Sequence, residues 1–244
     1  MSTNEASLVE VFSSFQGEGL YVGERQIFIR FAGCNLSCQY CDTPLALQVP
    51  KLFKLEAIPG SRKYEQHNNP ANLDQLVGII SALDKPEGSH HSISLTGGEP
   101  LLQVDFIKQL IPKLKHKYYL ETNGVLPDHL AEVIELIDIV AMDIKLPSAT
   151  GLSPYWKEHK KTLETAYLKE VFVKIVFTKG SKIKEIDEAA GLIAAVDDKI
   201  PLVLQPVSPH SPTNEQIFAF YNTARRKLKK VRVIPQAHKG INLL

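Results

Sequence analysis

The sequence predicts an α/β domain, a partial, open β/α barrel of about six parallel strands. Three observations carry that expectation. Short β-rich runs alternate with helical patterns along most of the chain. A length of 244 residues with 44% hydrophobic side chains is enough for one sizeable core. Unusual polar, Gly- and Pro-rich stretches follow strand after strand, at the end where parallel β/α arrangements gather function.

A strand at 8–12 precedes the regular alternation. The run "QIFIRF" at 26–31 is the next strand, and further strands are expected at 91–95, 118–122, 138–144, 171–177, 201–206 and 231–235. Helices fall between them at 72–83, with Asn72 as N-cap, and at 101–114, 127–137, 183–196 and 213–230. Residues 46–71, rich in Pro, Lys and polar side chains, and residues 147–168, with an extra helix, break the rhythm and read as surface insertions. The expectation is one domain over 1–244 with a surface insertion at about 46–71.

With 28 basic and 27 acidic side chains, the net charge of +1 offers no general attraction to a phosphate backbone or an anionic membrane. Neither nucleic acid nor membrane is an expected partner. The amino terminus lacks a signal-peptide pattern, and no window approaches the roughly 18 apolar residues of a membrane span. A cytoplasmic, soluble protein is expected.

All the cysteines, Cys34, Cys38 and Cys41, lie within eight positions with spacing C-x3-C-x2-C. Buried structural thiols scatter through a core instead of sharing one loop. A structural zinc site needs a fourth ligand, such as His90, His91 or His238, and its ligands normally come as close pairs from two knuckles. An electron-transfer cluster takes four cysteines. Three on a four-iron cubane leave one iron open to a chelating small molecule, which accounts for the count.

That spacing, with Tyr40 just before the last cysteine, resembles the radical S-adenosylmethionine (SAM) superfamily, and "TGGEP" at 96–100 resembles its glycine-rich motif. The stretch "FSSFQGEGLYVGERQIFIRFAGCNLSCQYCDT" closely resembles the amino-terminal third of the 7-carboxy-7-deazaguanine synthases. "SLTGGEPLLQ", "ETNG", "LVLQPVSP" and "VIPQAHK" fall where that family has counterparts, so the resemblance spans most of the chain outside 46–71 and 147–168. It implies a radical SAM core that contracts 6-carboxy-5,6,7,8-tetrahydropterin to 7-carboxy-7-deazaguanine with loss of ammonia, on the route to queuosine and other 7-deazapurines. It also implies a 4Fe-4S cluster, SAM and Mg2+ as cofactors, a flavodoxin- or ferredoxin-type electron donor, and a homodimer.

Residue by residue, the resemblance gives the cluster to Cys34, Cys38 and Cys41 and Mg2+ to Thr43. It gives the substrate to Phe15, Gln16, Gly17, Glu18, Arg30, Thr96, His238 and the terminal carboxylate of Leu244. The implied SAM contacts are Gln39, Tyr40, Gly98, Glu121 and Asn123, with Asp143, Ile144 and Lys145 and then Gln205, Pro206, Val207 and Ser208 along the adenosine.

The residue types suit these roles. A carboxylate such as Glu18 accepts at once from a ring N–H and an adjacent exocyclic amine. Gln16 both donates and accepts, Gly17 and Gly19 let backbone come close, and the Arg30 fork suits a carboxylate. Plainer roles stay open: a polar turn for "QGEG", an ion pair for Arg30, a helix cap for Thr43 and a frayed tail at Leu244. Asp143-Ile144-Lys145 departs from the Ser-Pro-Lys of some family members, and "RRKLKK" at 225–230 reads as solvated helix end. Two other functions remain open, a glycyl-radical enzyme activase and a non-catalytic iron-sulfur or zinc module. A protein-acting activase has no need of a heterocycle clamp, and the module lacks a fourth clustered ligand.

Overall fold

The computed structural model describes residues 4–208 and 212–240, apart from the side chain of His238. In chain order the strands and helices are β1 (Glu5–Ala6), β2 (Leu8–Phe15), β3 (Arg25–Phe31), β4 (Leu52–Glu56), β5 (Tyr64–Asn68), β6 (Ala71–Asn72), α1 (Leu73–Leu83), β7 (Ser92–Gly97), α2 (Val104–Leu110), β8 (Tyr118–Thr122), α3 (Pro127–Val133), β9 (Ile139–Asp143), α4 (Pro147–Thr150), α5 (Trp156–Ala166), β10 (Glu170–Phe177), α6 (Ile183–Val196), β11 (Leu202–Pro206), α7 (Asn214–Arg225), β12 (Val231–Val233) and α8 (Ala237–Gly240). Ten strands form one sheet in the order β12-β11-β10-β9-β8-β7-β3-β2-β4-β5, whose two edges do not pair, so the barrel stays open. From β3 to β12 all neighbours are parallel.

Strand periodicity sorts the side chains. On one face Ile29, Leu95, Leu120, Val140, Ile175 and Leu204 pack in the main core with helix residues such as Leu76, Leu130, Leu163 and Ile186. On the other, Tyr119, Ile139, Ala141, Phe172 and Val203 form a second, smaller cluster with Leu20, Tyr21 and Ile234. Successive side chains in a strand point to opposite faces, so the inner face also carries Arg30, Thr96, Glu121, Asp143, Lys174 and Gln205.

The segment between β2 and β3 folds inward and floors the barrel. It is tied by Gln16 N–H to Glu24 O (2.8 Å) and Gly23 N–H to Gln16 O (2.8 Å). The Tyr21 ring meets Tyr119 edge-on at 5.7 Å.

Some expected elements differ. The stretch 101–114 is a short α2 between two 3-10 turns, Pro100–Gln103 and Ile111–Lys113, because Pro112 lacks the N–H that would continue the α-helix. Asn72 caps α1 by accepting from Gln75 N–H at 2.8 Å. Within residues 46–71, expected as a surface insertion, β4 pairs parallel with β2 and β5 antiparallel with β4 at the sheet edge, with Phe53 and Glu56 buried and most of the others exposed. Residues 147–168 are the crossover between β9 and β10, and α5 buries His159, Thr162, Leu163 and Ala166.

At Gly19 (φ +68°) an added Cβ would stand 2.6 Å from the Phe172 ring, whereas at Gly23 (φ +92°) it would meet nothing within 4 Å. Gly19→Ala is therefore expected to cost about 2–4 kcal/mol, overpacking added to left-handed strain, and Gly23→Ala about 1–2 kcal/mol from strain alone. Urea unfolding of both variants checks this; equal losses would mean the floor is loosely packed.

Candidate active site

The loop after β3 carries Cys34, Cys38 and Cys41, and all three line a cavity of about 660 Å³ at the carboxyl ends of the parallel strands. Burial pushes the Cys34 and Cys38 thiols above their ordinary pKa, and Cys38 also feels the charges of Cys34 and Cys41. The three sulfurs thus share one electrostatic environment. Asn123 Nδ2 donates to Asn35 Oδ1 at 2.8 Å and lies 3.9 Å from Cys34 Sγ.

Glycine seats this loop. A Cβ on Gly98 would stand 1.9 Å from the Gly33 carbonyl oxygen, and one on Gly97 (φ +121°) 2.3 Å from that of Phe31. The Gly98 N–H already donates to Phe31 O at 3.0 Å. The glycine pair is needed first for backbone-on-backbone packing, a demand additional to cofactor approach. Glu99, fully buried, accepts from Asn123 N–H (2.7 Å), Leu101 N–H (3.1 Å) and Thr122 Oγ1 (2.9 Å). Burial still pushes its carboxyl up to about 7.

Deeper in the cavity, charge is paired. Lys174 Nζ donates to Glu18 Oε2 and lies 3.5 Å from Asp143 Oδ1, while Lys145 Nζ donates to Asp143 Oδ2 at 2.6 Å. Gln236 Nε2 donates to Glu18 Oε1 and to Asp42 Oδ2, both at 2.9 Å, and Lys239 Nζ donates to Gln236 Oε1 at 2.6 Å. Burial alone would raise the Glu18 carboxyl, but the Lys174 ammonium brings it down to about 2. Gln16 Nε2 donates to Glu121 Oε1 (2.9 Å), and Thr96 Oγ1 donates to Glu121 Oε2 (2.8 Å). Arg30 donates through Nε to Glu10 Oε1 at 2.8 Å and lies over the Phe12 ring.

Of the expected site residues, Gln16, Gly17, Glu18, Arg30, Thr96, Tyr40, Thr43, Gly98, Glu121, Asn123, Asp143, Lys145, Gln205 and Val207 line this cavity with the cysteines. Thr43 precedes a 3-10 turn without capping it and donates to Asp42 Oδ1 at 3.2 Å. Five residues do not line the cavity. Phe15 ends β2 at 46% exposure, outside the cavity wall. Ile144 lies in the main core, because alternation turns it away between inward-facing Asp143 and Lys145, and Pro206 is turned away likewise between Gln205 and Val207. The Gln39 side chain packs against Gly151. Ser208 accepts through its carbonyl from Lys239 Nζ at 3.3 Å. Leu244 and the side chain of His238 lie outside the described residues.

The candidate zinc ligands His90 and His91 sit at the opposite end of β7. There His90 is held between Asp84 Oδ1 and Ser13 Oγ, both at 2.8 Å.

Residues 28–193 match the radical SAM superfamily. Over its full length the chain is 43% identical to a 7-carboxy-7-deazaguanine synthase of Geobacter sulfurreducens, covering all of both chains. A synthase of the same name from Thermococcus kodakarensis is 35% identical over 97% of this chain and 98% of its own. This chain belongs to the 7-carboxy-7-deazaguanine synthase family of radical SAM enzymes. A crystal structure of QueE from Escherichia coli shares the fold, with TM-score 0.63 at 21% identity over 96% of this chain and 95% of that one. Membership in the radical SAM superfamily brings a 4Fe-4S cluster and SAM, and three thiols facing one cavity suit the cluster. No helix among the described residues is long and apolar enough to cross a membrane.

For this synthase-family member, sequence reasoning passed over Lys174, Gln236, Asp42, Glu10 and His159. Lys174 had a signal: it is the one charge inside "VFVKIVF", at an inward position. Burial holds His159 down to about 4, and its Nε2 lies 3.3 Å from Lys145 N and Asn123 O. Nothing in the helical pattern of 147–168 marked it.

Because the Glu18 carboxyl falls from 4.5 to about 2 on folding, its ionised form stabilises the protein above about pH 4.5, and that stability is lost as pH falls toward 2. The size is on the order of 3 kcal/mol. Urea unfolding of wild type and Glu18→Gln should show a gap of this order at pH 7 that narrows between pH 5 and 3. A gap that does not change with pH would mean Glu18 is not held by charge.

Proposed function

We propose that the chain contracts 6-carboxy-5,6,7,8-tetrahydropterin to 7-carboxy-7-deazaguanine with release of ammonia, within queuosine and 7-deazapurine synthesis in the cytoplasm. The observation that carries this is a single cavity lined by the three cysteines and, deeper in, by the Glu18 carboxylate and Arg30. Cys34, Cys38 and Cys41 would hold the 4Fe-4S cluster. With SAM bound, the cluster, reduced by an external donor, would supply the electron for reductive cleavage of the cofactor and so the means of taking a hydrogen atom from the substrate.

The chain's own residues bind and orient. Glu18 accepts from the pterin's ring N–H and amino group. Arg30, steadied through Nε by Glu10, directs the rest of its fork to the substrate carboxylate. Thr96, whose proton goes to Glu121, keeps oxygen lone pairs for a substrate N–H. Asp143 Oδ1, which among the described residues has the Lys174 ammonium at 3.5 Å but no hydrogen-bond partner, accepts from a ribose hydroxyl of SAM. Thr43 is the Mg2+ ligand, a single hydroxyl sufficing because Mg2+ retains waters and takes substrate oxygens. His238 and the Leu244 carboxylate complete the pterin site. The electron donor is a flavodoxin- or ferredoxin-type protein, and the working unit a homodimer.

Reconstituted enzyme given SAM, a reductant, Mg2+ and the carboxytetrahydropterin should yield a product lighter by one ammonia. SAM cleavage with the pterin mass unchanged would overturn the assignment. Cys38→Ala should lose both the visible charge-transfer absorption of the cluster and SAM cleavage. Thr43→Ala should keep that absorption and flatten the dependence of rate on Mg2+; an unaltered Mg2+ profile would return Thr43 to a structural role.

A further inference from the structure

Outside the cavity, the rim beside the cysteine loop carries a local excess of positive charge. Helices α5 and α6 follow the parallel strands β9 and β10, so both begin at the strand ends where the cysteines sit. Lys157, Lys160 and Lys161 stand on the first turns of α5, and Lys179, Lys182 and Lys184 on the turn into α6, all of them exposed. Among the described residues, Lys160 alone of this group has an ion-pair partner, Glu164 at 3.9 Å. Elsewhere Lys108, Lys169, Lys227 and Lys229 each meet a carboxylate on the surface. With a net charge of +1 for the whole chain, the excess belongs to this rim.

α4 joins the rim to the cysteine loop. Gln39 N–H, between Cys38 and Cys41, donates to Thr150 O at 3.1 Å, and a Cβ on Gly151 would stand 2.5 Å from the Gln39 side chain. At its other end, Ser148 Oγ donates to Glu185 Oε2 and accepts from Lys182 N–H at 3.3 Å. Glu185 is thereby turned onto α4, which leaves Lys182 and Lys184 unopposed. The thiols face the cavity on one side, and the outer side of their loop shows exposed Asn35, Ser37 and Gln39. Unpaired charge of one sign repels itself and draws in a surface of the other sign, speeding encounter and fixing its register.

We propose that α4 and the starts of α5 and α6 form the docking surface for the one-electron donor, a carrier protein with an acidic face. Lys157, Lys161, Lys182 and Lys184 meet its carboxylates, and Ile183, 50% exposed between two of them, gives an apolar contact. One electron leaves the reduced carrier and enters the oxidised cluster across the Gln39 side of the loop, and no bond or proton moves. The assignment rests on the reading of the cysteines as a cluster site served by a protein donor.

Cluster-reconstituted enzyme is given SAM and the carboxytetrahydropterin, with electrons from either a reduced flavodoxin of net negative charge or dithionite, which needs no docking surface. Lys182→Glu/Lys184→Glu and Lys157→Glu/Lys161→Glu should each lower kcat/KM for flavodoxin roughly fivefold or more at low salt, through KM. That loss should shrink as ionic strength rises from about 0.05 to 0.3 M, while the dithionite-driven rate stays at the wild-type value. Lys115→Glu/Lys117→Glu, on the turn before β8 at the opposite end of the barrel, should leave both rates unchanged. A flavodoxin KM unmoved in both rim variants, one raised equally by the distant pair, or an equal loss with dithionite overturns the docking surface. So does a wild type that dithionite drives and flavodoxin does not. Binding of a short RNA duplex that the rim variants abolish, with flavodoxin kinetics unmoved, refutes the proposal and gives the rim to nucleic acid. SAM cleavage with the pterin mass unchanged overturns the substrate reading alone, because cleavage then reports the same dependence on flavodoxin.

Discussion

Charge removed from water must be paired, and the inside of this open barrel depends on that constraint. Glu18, Lys174, Asp143 and Lys145 form a chain of alternating sign reaching from the floor segment to β10 and then β9. An ion left alone there would cost several kcal/mol, and a well-made pair offsets most of it. The floor segment must therefore enter the barrel to bring Glu18 to Lys174, and it does so on the Gly19 contact with Phe172. Fold and site are held by the same contacts.

Two kinds of fit serve the two halves of the cavity. The cysteine half is set by backbone against backbone, where the absence of side chains at Gly97 and Gly98 allows the loop to lie on the end of β7. The Glu18 half is set by side chains from inward strand positions and the floor. Rigid loop seating suits a site that must hold a metal cluster, and a paired polar wall suits one that must recognise a heterocycle edge.

Much of this was legible in the sequence. The strand–helix alternation gave the open β/α array, and the cysteine spacing with "TGGEP" gave the superfamily, because both are local patterns. Two segments that read only as insertions hold elements whose packing the pattern did not show. Residues 64–68 (YEQHN) carry too few apolar residues to look like a strand, and 52–56 (LFKLE) is short and set in a Pro-, Lys- and polar-rich stretch, yet the two pair at a sheet edge. Residues 156–166, a polar-looking helix, bury His159 and Leu163 on one side only. Within the site, Ile144 and Pro206 were grouped with their neighbours by sequence position, whereas strand alternation separates them. Gln236 lies inside the quoted "VIPQAHK", but its contacts could not be read there because its partners, Glu18 and Asp42, lie far away in the chain.

That last distance bears on how the enzyme is made. Glu18 and Gln236 are separated by 218 positions, and Ala237 N–H donates to the Gly17 carbonyl at 2.9 Å. A chain emerging from the ribosome can align β2, β3 and their neighbours long before these contacts exist. The pocket around Glu18 is therefore among the last parts to close during synthesis, and a nascent or truncated chain that has already gathered its three thiols carries an unfinished pocket until residue 236 arrives.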